Sequence, residues 1–165
     1  MKKLFIVPVL VVYILAMINC PVYSASTVNE DSIISEIGTL VNKGKYKNAY
    51  KICNDAIAKY PEDAYLYYWR GTIYSKLGNH KSALSDFNKS IELDPKNSNT
   101  YVMRGICRYE LTDYEGAESD YNKAIELDSD NVSAYNMRAG LKLHIGDLEG
   151  ATEDFNIADN IKLKK

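Results

Sequence analysis

Three arginines in this chain are each followed by an aspartate sixteen residues later. The pairs are Arg70 with Asp86, Arg104 with Asp120, and Arg138 with Asp154. A guanidinium and a carboxylate can form a strong bidentate ion pair, and such a pair could also serve as acid–base machinery. Because the same spacing recurs three times, we predict a structural role, in which each ion pair fixes the geometry of one repeated segment.

The other residue types that often act in catalysis or metal binding show no regular spacing. Cys20, Cys53 and Cys107 are not spaced as metal ligands, and the chain has only two histidines, His80 and His144. The sequence also has no glycine-rich phosphate loop, H-E-x-x-H motif, G-x-S-x-G motif or EF-hand loop. We therefore expect no metal, no cofactor and no enzymatic activity.

The composition indicates a folded domain and argues against a nucleic-acid-binding protein. Hydrophobic residues make up 46% and charged residues 25% of the 165-residue chain, which is typical of a folded domain. The formal net charge is −2 and no basic face accumulates, so we expect no nucleic-acid partner. Tyrosine is unusually frequent, with fourteen residues, and its frequency needs an explanation.

Residues 1–24 have the pattern of an export signal. Lys2 and Lys3 precede a run of uncharged, mainly apolar residues at 4–18, and small residues follow from Ser24. This order is typical of a secretory signal peptide, whereas a membrane-spanning helix needs about twenty apolar residues. We predict cleavage after Ser24 or Ala25, a short linker at 25–29, and a periplasmic or secreted protein.

Two alternatives stay open for this N-terminal segment. It could remain uncleaved as a membrane anchor. Alternatively, Cys20 could be lipidated, because residues 17–20 look like a degenerate bacterial lipobox in which Asn19 is a poor match. Either alternative would attach the protein to a membrane through this segment alone.

Residues 30–165 divide into four segments of equal length that align without insertion or deletion. The segments are 30–63, 64–97, 98–131 and 132–165. Four positions carry the same or a similar residue in the second, third and fourth segments. These are Gly71, Gly105 and Ala139; Tyr67, Tyr101 and Tyr135; Ala83, Ala117 and Ala151; and Phe87, Tyr121 and Phe155. Bulky aromatic residues therefore alternate with small ones at helical spacing, which favours two amphipathic helices in each segment.

This period and these positions resemble the tetratricopeptide repeat (TPR), a helix–turn–helix unit. The resemblance covers residues 30–165 and is weakest in the first segment, where Ile37 replaces the small residue and Glu36 and Ile52 replace the ion pair. It implies an all-α fold, a right-handed α-solenoid of four TPR repeats with eight helices. Each hairpin would leave an apolar face that the next hairpin covers.

In TPR proteins the first helices line a concave surface where ligand peptides commonly lie, so the resemblance also implies a partner-binding groove. Transferred to this sequence, the groove residues are Tyr65, Tyr68, Thr72, Lys76, Asn99, Val102, Ile106, Tyr109, Asn136 and His144. We interpret Tyr65, Tyr68 and Tyr109 as surplus to the repeat core and available to a partner. Because Tyr68, Thr72 and Met103 stand where a carboxylate clamp would need Lys or Asn, we do not expect capture of a C-terminal carboxylate.

The sequence thus predicts an exported, non-catalytic adaptor that binds a protein or peptide of unknown identity in its concave groove. The alternative is an envelope-anchored scaffold that self-associates or organises an assembly.

Overall fold

The computed structural model describes the backbone of residues 26–164 and the side chains of residues 31–164. Within this range the chain forms eight α-helices and no β-strand. The helices are α1 (Ser26–Asn42), α2 (Tyr46–Lys59), α3 (Ala64–Lys76), α4 (His80–Leu93), α5 (Ser98–Glu110), α6 (Tyr114–Leu127), α7 (Val132–Ile145) and α8 (Leu148–Leu163). None of these helices has the length and apolar character that crossing a membrane requires.

The two predictions for the N-terminal residues have different outcomes. The predicted signal segment, residues 1–24, lies outside the described residues and stays a prediction. The predicted linker overlaps a helix, because α1 begins at Ser26 and residues 26–29 are helical.

The helices pair into hairpins that follow the repeat. The closest packing is within the pairs α3/α4, α5/α6 and α7/α8, and α4 then packs on α5 as α6 does on α7. Helix α5 also contacts α3 and α7, so the first helices of successive repeats are neighbours. The predicted all-α solenoid of stacked hairpins is confirmed for residues 33–164, which belong to one compact unit.

A turn with one special backbone position joins the two helices of each repeat. The backbone angle φ is positive at the four equivalent residues Gly44, Gly78, Thr112 and Gly146. Glycine adopts this conformation at little cost, whereas a β-branched residue such as Thr112, at φ 64°, is strained there. An asparagine or aspartate follows and caps the second helix from α4 onward; Asp113 accepts a hydrogen bond from the Gly116 N–H at 3.0 Å.

Glycine at the helix crossing lets an aromatic ring lie directly against the backbone. A Cβ atom added to Gly105 would lie 2.6 Å from Cε1 of Tyr121, and one added to Gly71 would lie 2.8 Å from Cε1 of Phe87. Both rings are buried. The small residue on the first helix and the ring on the second therefore set how closely the two helices approach.

Two glycine-to-alanine substitutions should shift stability in opposite directions. We expect Gly105→Ala to lower the free energy of unfolding by about 1–3 kcal/mol, because its methyl group overlaps the Tyr121 ring. Gly140 is also inside a helix, but nothing lies within 4 Å of an added Cβ, so Gly140→Ala should raise stability by about 0.5–1 kcal/mol. Urea unfolding measures both, and effects of the same sign would contradict the packing argument.

Candidate functional site

The three predicted ion pairs are present, and all are bidentate. In each pair the arginine donates through Nη2 and Nε to the two oxygens of the aspartate carboxylate. The Nη2–Oδ1 distances are 2.8 Å for Arg70 and Asp86, 2.6 Å for Arg104 and Asp120, and 2.6 Å for Arg138 and Asp154. All three aspartates are buried, so these pairs hold together the first and second helices of their repeats.

Each arginine also reaches the preceding repeat, which sequence reasoning missed. Nη1 of Arg104 donates to Oδ1 of Asn88 at 2.9 Å, and its guanidinium lies 5.4 Å from the ring centroid of Tyr101. Equivalent bonds run from Arg70 to Asn54 at 2.9 Å and from Arg138 to Asn122 at 2.7 Å. The asparagines recur at the repeat spacing, and that recurrence could have revealed the contact.

Asp120 and Asp154 each contact a second positively charged side chain. Nη1 of Arg108 lies 2.8 Å from Oδ2 of Asp120, and Nζ of Lys142 lies 3.0 Å from Oδ2 of Asp154. Burial alone would raise the pKa of Asp154, but the hydrogen bonds from Arg138 and Lys142 outweigh burial and lower the pKa below its usual value. A carboxylate held ionised by two cations suits a structural contact better than proton transfer.

The described thiols belong to the core. Cys53 and Cys107 are free and buried, and the Cys53 thiol donates a hydrogen bond to the Leu66 carbonyl at 3.0 Å. Burial raises the pKa of Cys53 to about 12 and also raises the pKa of Cys107, so both thiols stay protonated and poorly nucleophilic. Among the described residues no cluster of His, Cys, Asp and Glu side chains could hold a metal ion.

The predicted groove residues differ widely in exposure. The side chains at the surface are those of Tyr65, Lys76, Asn99 and His144; the partly buried ones are Tyr68, Ile106, Tyr109 and Asn136; the buried ones are Thr72 and Val102. All ten lie on α3, α5 or α7, the first helices of their repeats.

Three of these residues support the fold. Thr72 and Val102 are only 5% and 4% exposed, so their side chains face the interior and cannot contact a partner. The ring of Tyr68 lies 5.3 Å from that of Trp69 and 6.2 Å from that of Phe87. The interpretation that Tyr68 is surplus to the core is therefore wrong, because its ring packs against the core cluster that contains Phe87.

Tyr109 and His144 form one end of the groove together with Tyr114. The ring centroids of Tyr109 and Tyr114 are 5.4 Å apart, and that of His144 lies 5.4 Å from the first and 4.9 Å from the second. Nε2 of His144 is 3.1 Å from the Tyr114 hydroxyl. This cluster joins α5, α6 and α7, so Tyr109 is also partly structural, and only part of its ring is exposed.

The remaining groove surface is mainly neutral. Lys76 and Glu110 are the charged residues at the groove positions of α3, α5 and α7, and both are exposed. Between α5 and α7 the surface also forms a pocket of about 250 Å³. The arrangement offers amide groups, one aromatic side chain and an apolar depression, which suits recognition of a peptide segment.

The fold and this surface define a class of proteins, the α-solenoids built from helical hairpins. Within that class, the tetratricopeptide-repeat profile matches residues 64–97 and again residues 98–131. The chain therefore contains tetratricopeptide repeats, and its fold is an all-α TPR solenoid.

Solved structures show the same architecture at low sequence identity. MamA from Desulfovibrio magneticus RS-1 is 18% identical with a TM-score of 0.71, over 82% of this chain and 77% of that one. A thermophilic TPR protein from Thermus thermophilus is 18% identical with a TM-score of 0.73, over 82% and 78%. The first TPR domain of Spaghetti, bound to an HSP90 peptide, is 24% identical with a TM-score of 0.65, over 70% and 92%. No curated protein sequence matches this chain.

Proposed function

We propose that this protein is a non-catalytic adaptor that binds a segment of a partner protein in the groove formed by α3, α5 and α7. The observation that carries the proposal is that these first helices lie side by side and expose side chains that the repeat core does not use. Tyr65 is the clearest case, because it is 49% exposed on a helix whose other aromatic residues are partly buried. Large amphipathic side chains of this kind are enriched at interfaces.

The comparisons support the general mode of action. TPR domains are typical protein-interaction scaffolds, and the Spaghetti domain was solved with a peptide bound. The groove of this chain has its own chemistry, because Tyr68 and Thr72 are turned into the fold and Met103 is partly buried. We therefore infer recognition through apolar and amide contacts, without a carboxylate clamp.

Site-specific photocrosslinking in the source cells tests this proposal. Benzoylphenylalanine would replace Tyr65 or Asn136 in the groove, and as a control Ser119, which is exposed on the second helix of the third repeat. We expect a covalent adduct of defined mass from the two groove positions and none from Ser119. Adducts that are absent from the groove, or equally abundant at Ser119, would contradict groove binding.

We further propose that residues 1–24 direct export and are then removed. The support is the sequence of Lys2 and Lys3, an apolar run and small residues. Mass spectrometry of the mature N-terminus tests the proposal: Ala25 or Ser26 as the first residue supports cleavage. A lipidated Cys20 or an intact Met1 would instead indicate the anchored alternative.

A further inference from the structure

A pocket lies in the groove between α5 and α7. Its volume is about 250 Å³, below the roughly 300–1,000 Å³ of small-molecule sites. Its principal walls are Ile106, Tyr109 and Glu110 of α5 and Met137, Gly140 and Leu141 of α7. A space of this size and apolar lining fits one or two side chains of a partner better than a drug-sized ligand.

Gly140 lines this pocket, and its lack of a side chain leaves space there. The equivalent residues of the second and third repeats, Thr72 and Ile106, carry β-branched side chains, whereas glycine has no side chain. A Cβ atom added to Gly140 would meet nothing within 4 Å. Glycine inside a helix lowers stability relative to alanine, and here no close approach of helices requires it, in contrast to Gly71 and Gly105.

The first repeat shows which kind of side chain can pack against a glycine at this position. Gly38 holds the same position in the first repeat, and the ring of Trp69 covers it, with Cζ2 2.9 Å from the place of an added Cβ. An aromatic side chain can therefore lie directly on the helix backbone at this repeat position. Trp69 lies on the first helix of the following repeat, so this contact shows only that a glycine at this position can carry an aromatic ring. At Gly140 an added Cβ would meet no atom within 4 Å.

We propose that the pocket over Gly140 is an anchor site for one large apolar or aromatic side chain of the partner segment. Met137, 38% exposed, supplies apolar contact at its edge. Glu110 is exposed beside it and takes part in none of the ion pairs found within residues 31–164, so we expect it to favour a basic residue next to the anchor. Anchor side chains in such pockets commonly dominate binding. This inference rests on the proposed groove binding and adds the chemistry of the partner.

The test is a selection of random twelve-residue peptides, displayed on phage, against the purified full chain. We expect enriched peptides to carry Trp, Phe, Leu or Met within a few residues of Lys or Arg. Gly140→Ile should weaken their binding about thirtyfold, the effect of losing an interface hot spot. Since Ile106 occupies the same repeat position, this variant should keep the fold, as a thermal melt will show.

Matched variants complete the design. Ser119→Ile adds the same side chain on α6, outside the groove, and should leave peptide affinity unchanged. Met137→Ala removes an apolar wall without filling the pocket and should weaken binding about tenfold even if Gly140→Ile unfolds. Glu110→Lys should abolish the preference for basic residues while the apolar anchor is retained.

The outcomes separate this inference from groove binding itself. Peptides that Tyr65→Glu blocks but that Gly140→Ile and Met137→Ala leave unaffected would overturn the anchor site and leave groove binding intact. An empty selection, or peptides indifferent to all groove variants, would overturn both. Enriched peptides without a basic residue would overturn the role of Glu110.

Discussion

Asp120→Ala is expected to lower the free energy of unfolding by about 3–5 kcal/mol, the cost of leaving buried charges unpaired. The carboxylate is 2% exposed, accepts bonds from Arg104 at 2.6 and 3.0 Å, and lies 2.8 Å from Nη1 of Arg108. Its removal leaves two guanidinium groups without their partner. Because both groups keep partial contact with water, we expect the lower half of this range.

Glu126→Ala is the matched control for this substitution. Glu126 lies on the same helix, α6, and pairs with Lys123 at 2.7 Å, but both side chains are well exposed. Exposed pairs three residues apart contribute only about 0.2–0.5 kcal/mol. Urea unfolding at neutral pH measures both variants, and similar losses would show that burial of the Asp120 pair does not matter.

The ion pairs were predictable because they repeat. A residue type that recurs three times at a constant spacing must occupy the same place in each hairpin, so Arg104 and Asp120 could be matched without coordinates. The bond from Arg104 to Asn88 was not predicted, because it joins one repeat to the repeat before it. The recurrence of Asn54, Asn88 and Asn122 was a signal that this position has a repeated role, but recognising Arg104 as the partner of Asn88 also requires knowing how successive hairpins are rotated against each other.

The groove was less predictable than the scaffold. Transfer of repeat positions placed all ten residues on the correct helices but did not give their burial. Thr72 and Val102 hold predicted groove positions but are buried, because burial depends on how neighbouring helices pack and not on the repeat position alone. The pocket is lined by residues of both α5 and α7, Gly140 among them, so it could not be inferred until the relative positions of these helices were known.

The start of the first helix could not be predicted from the repeat alignment either. The repeat alignment starts at residue 30, but α1 begins at Ser26. A repeat period fixes where equivalent positions fall, whereas a helix extends beyond its repeat as long as the preceding residues can continue its backbone hydrogen bonds. Residues 26–29 contain no proline or glycine to stop it.

Phe87→Ala should lower the free energy of unfolding by about 3–5 kcal/mol, at least as much as Asp120→Ala does. The ring of Phe87 is 0% exposed. It packs with Ala83 of its own helix and with Met103 and Cys107 of α5 in the next repeat. The substitution would therefore leave a cavity at the contact between two hairpins, where neither helix can move inward without disturbing the other.

Phe155 tests whether this cost comes from stacking of the repeats. It holds the same repeat position on α8 but is 38% exposed, and no following helix covers it in the described part of the chain. Phe155→Ala should therefore cost only about 1–2 kcal/mol, because much of the ring is already in water. The two residues share their chemistry and their place in the hairpin, so the difference between them measures what the next repeat contributes. Equal losses in thermal or urea unfolding would mean that each hairpin buries its ring alone, and a solenoid held together by neighbouring repeats would then be the wrong description.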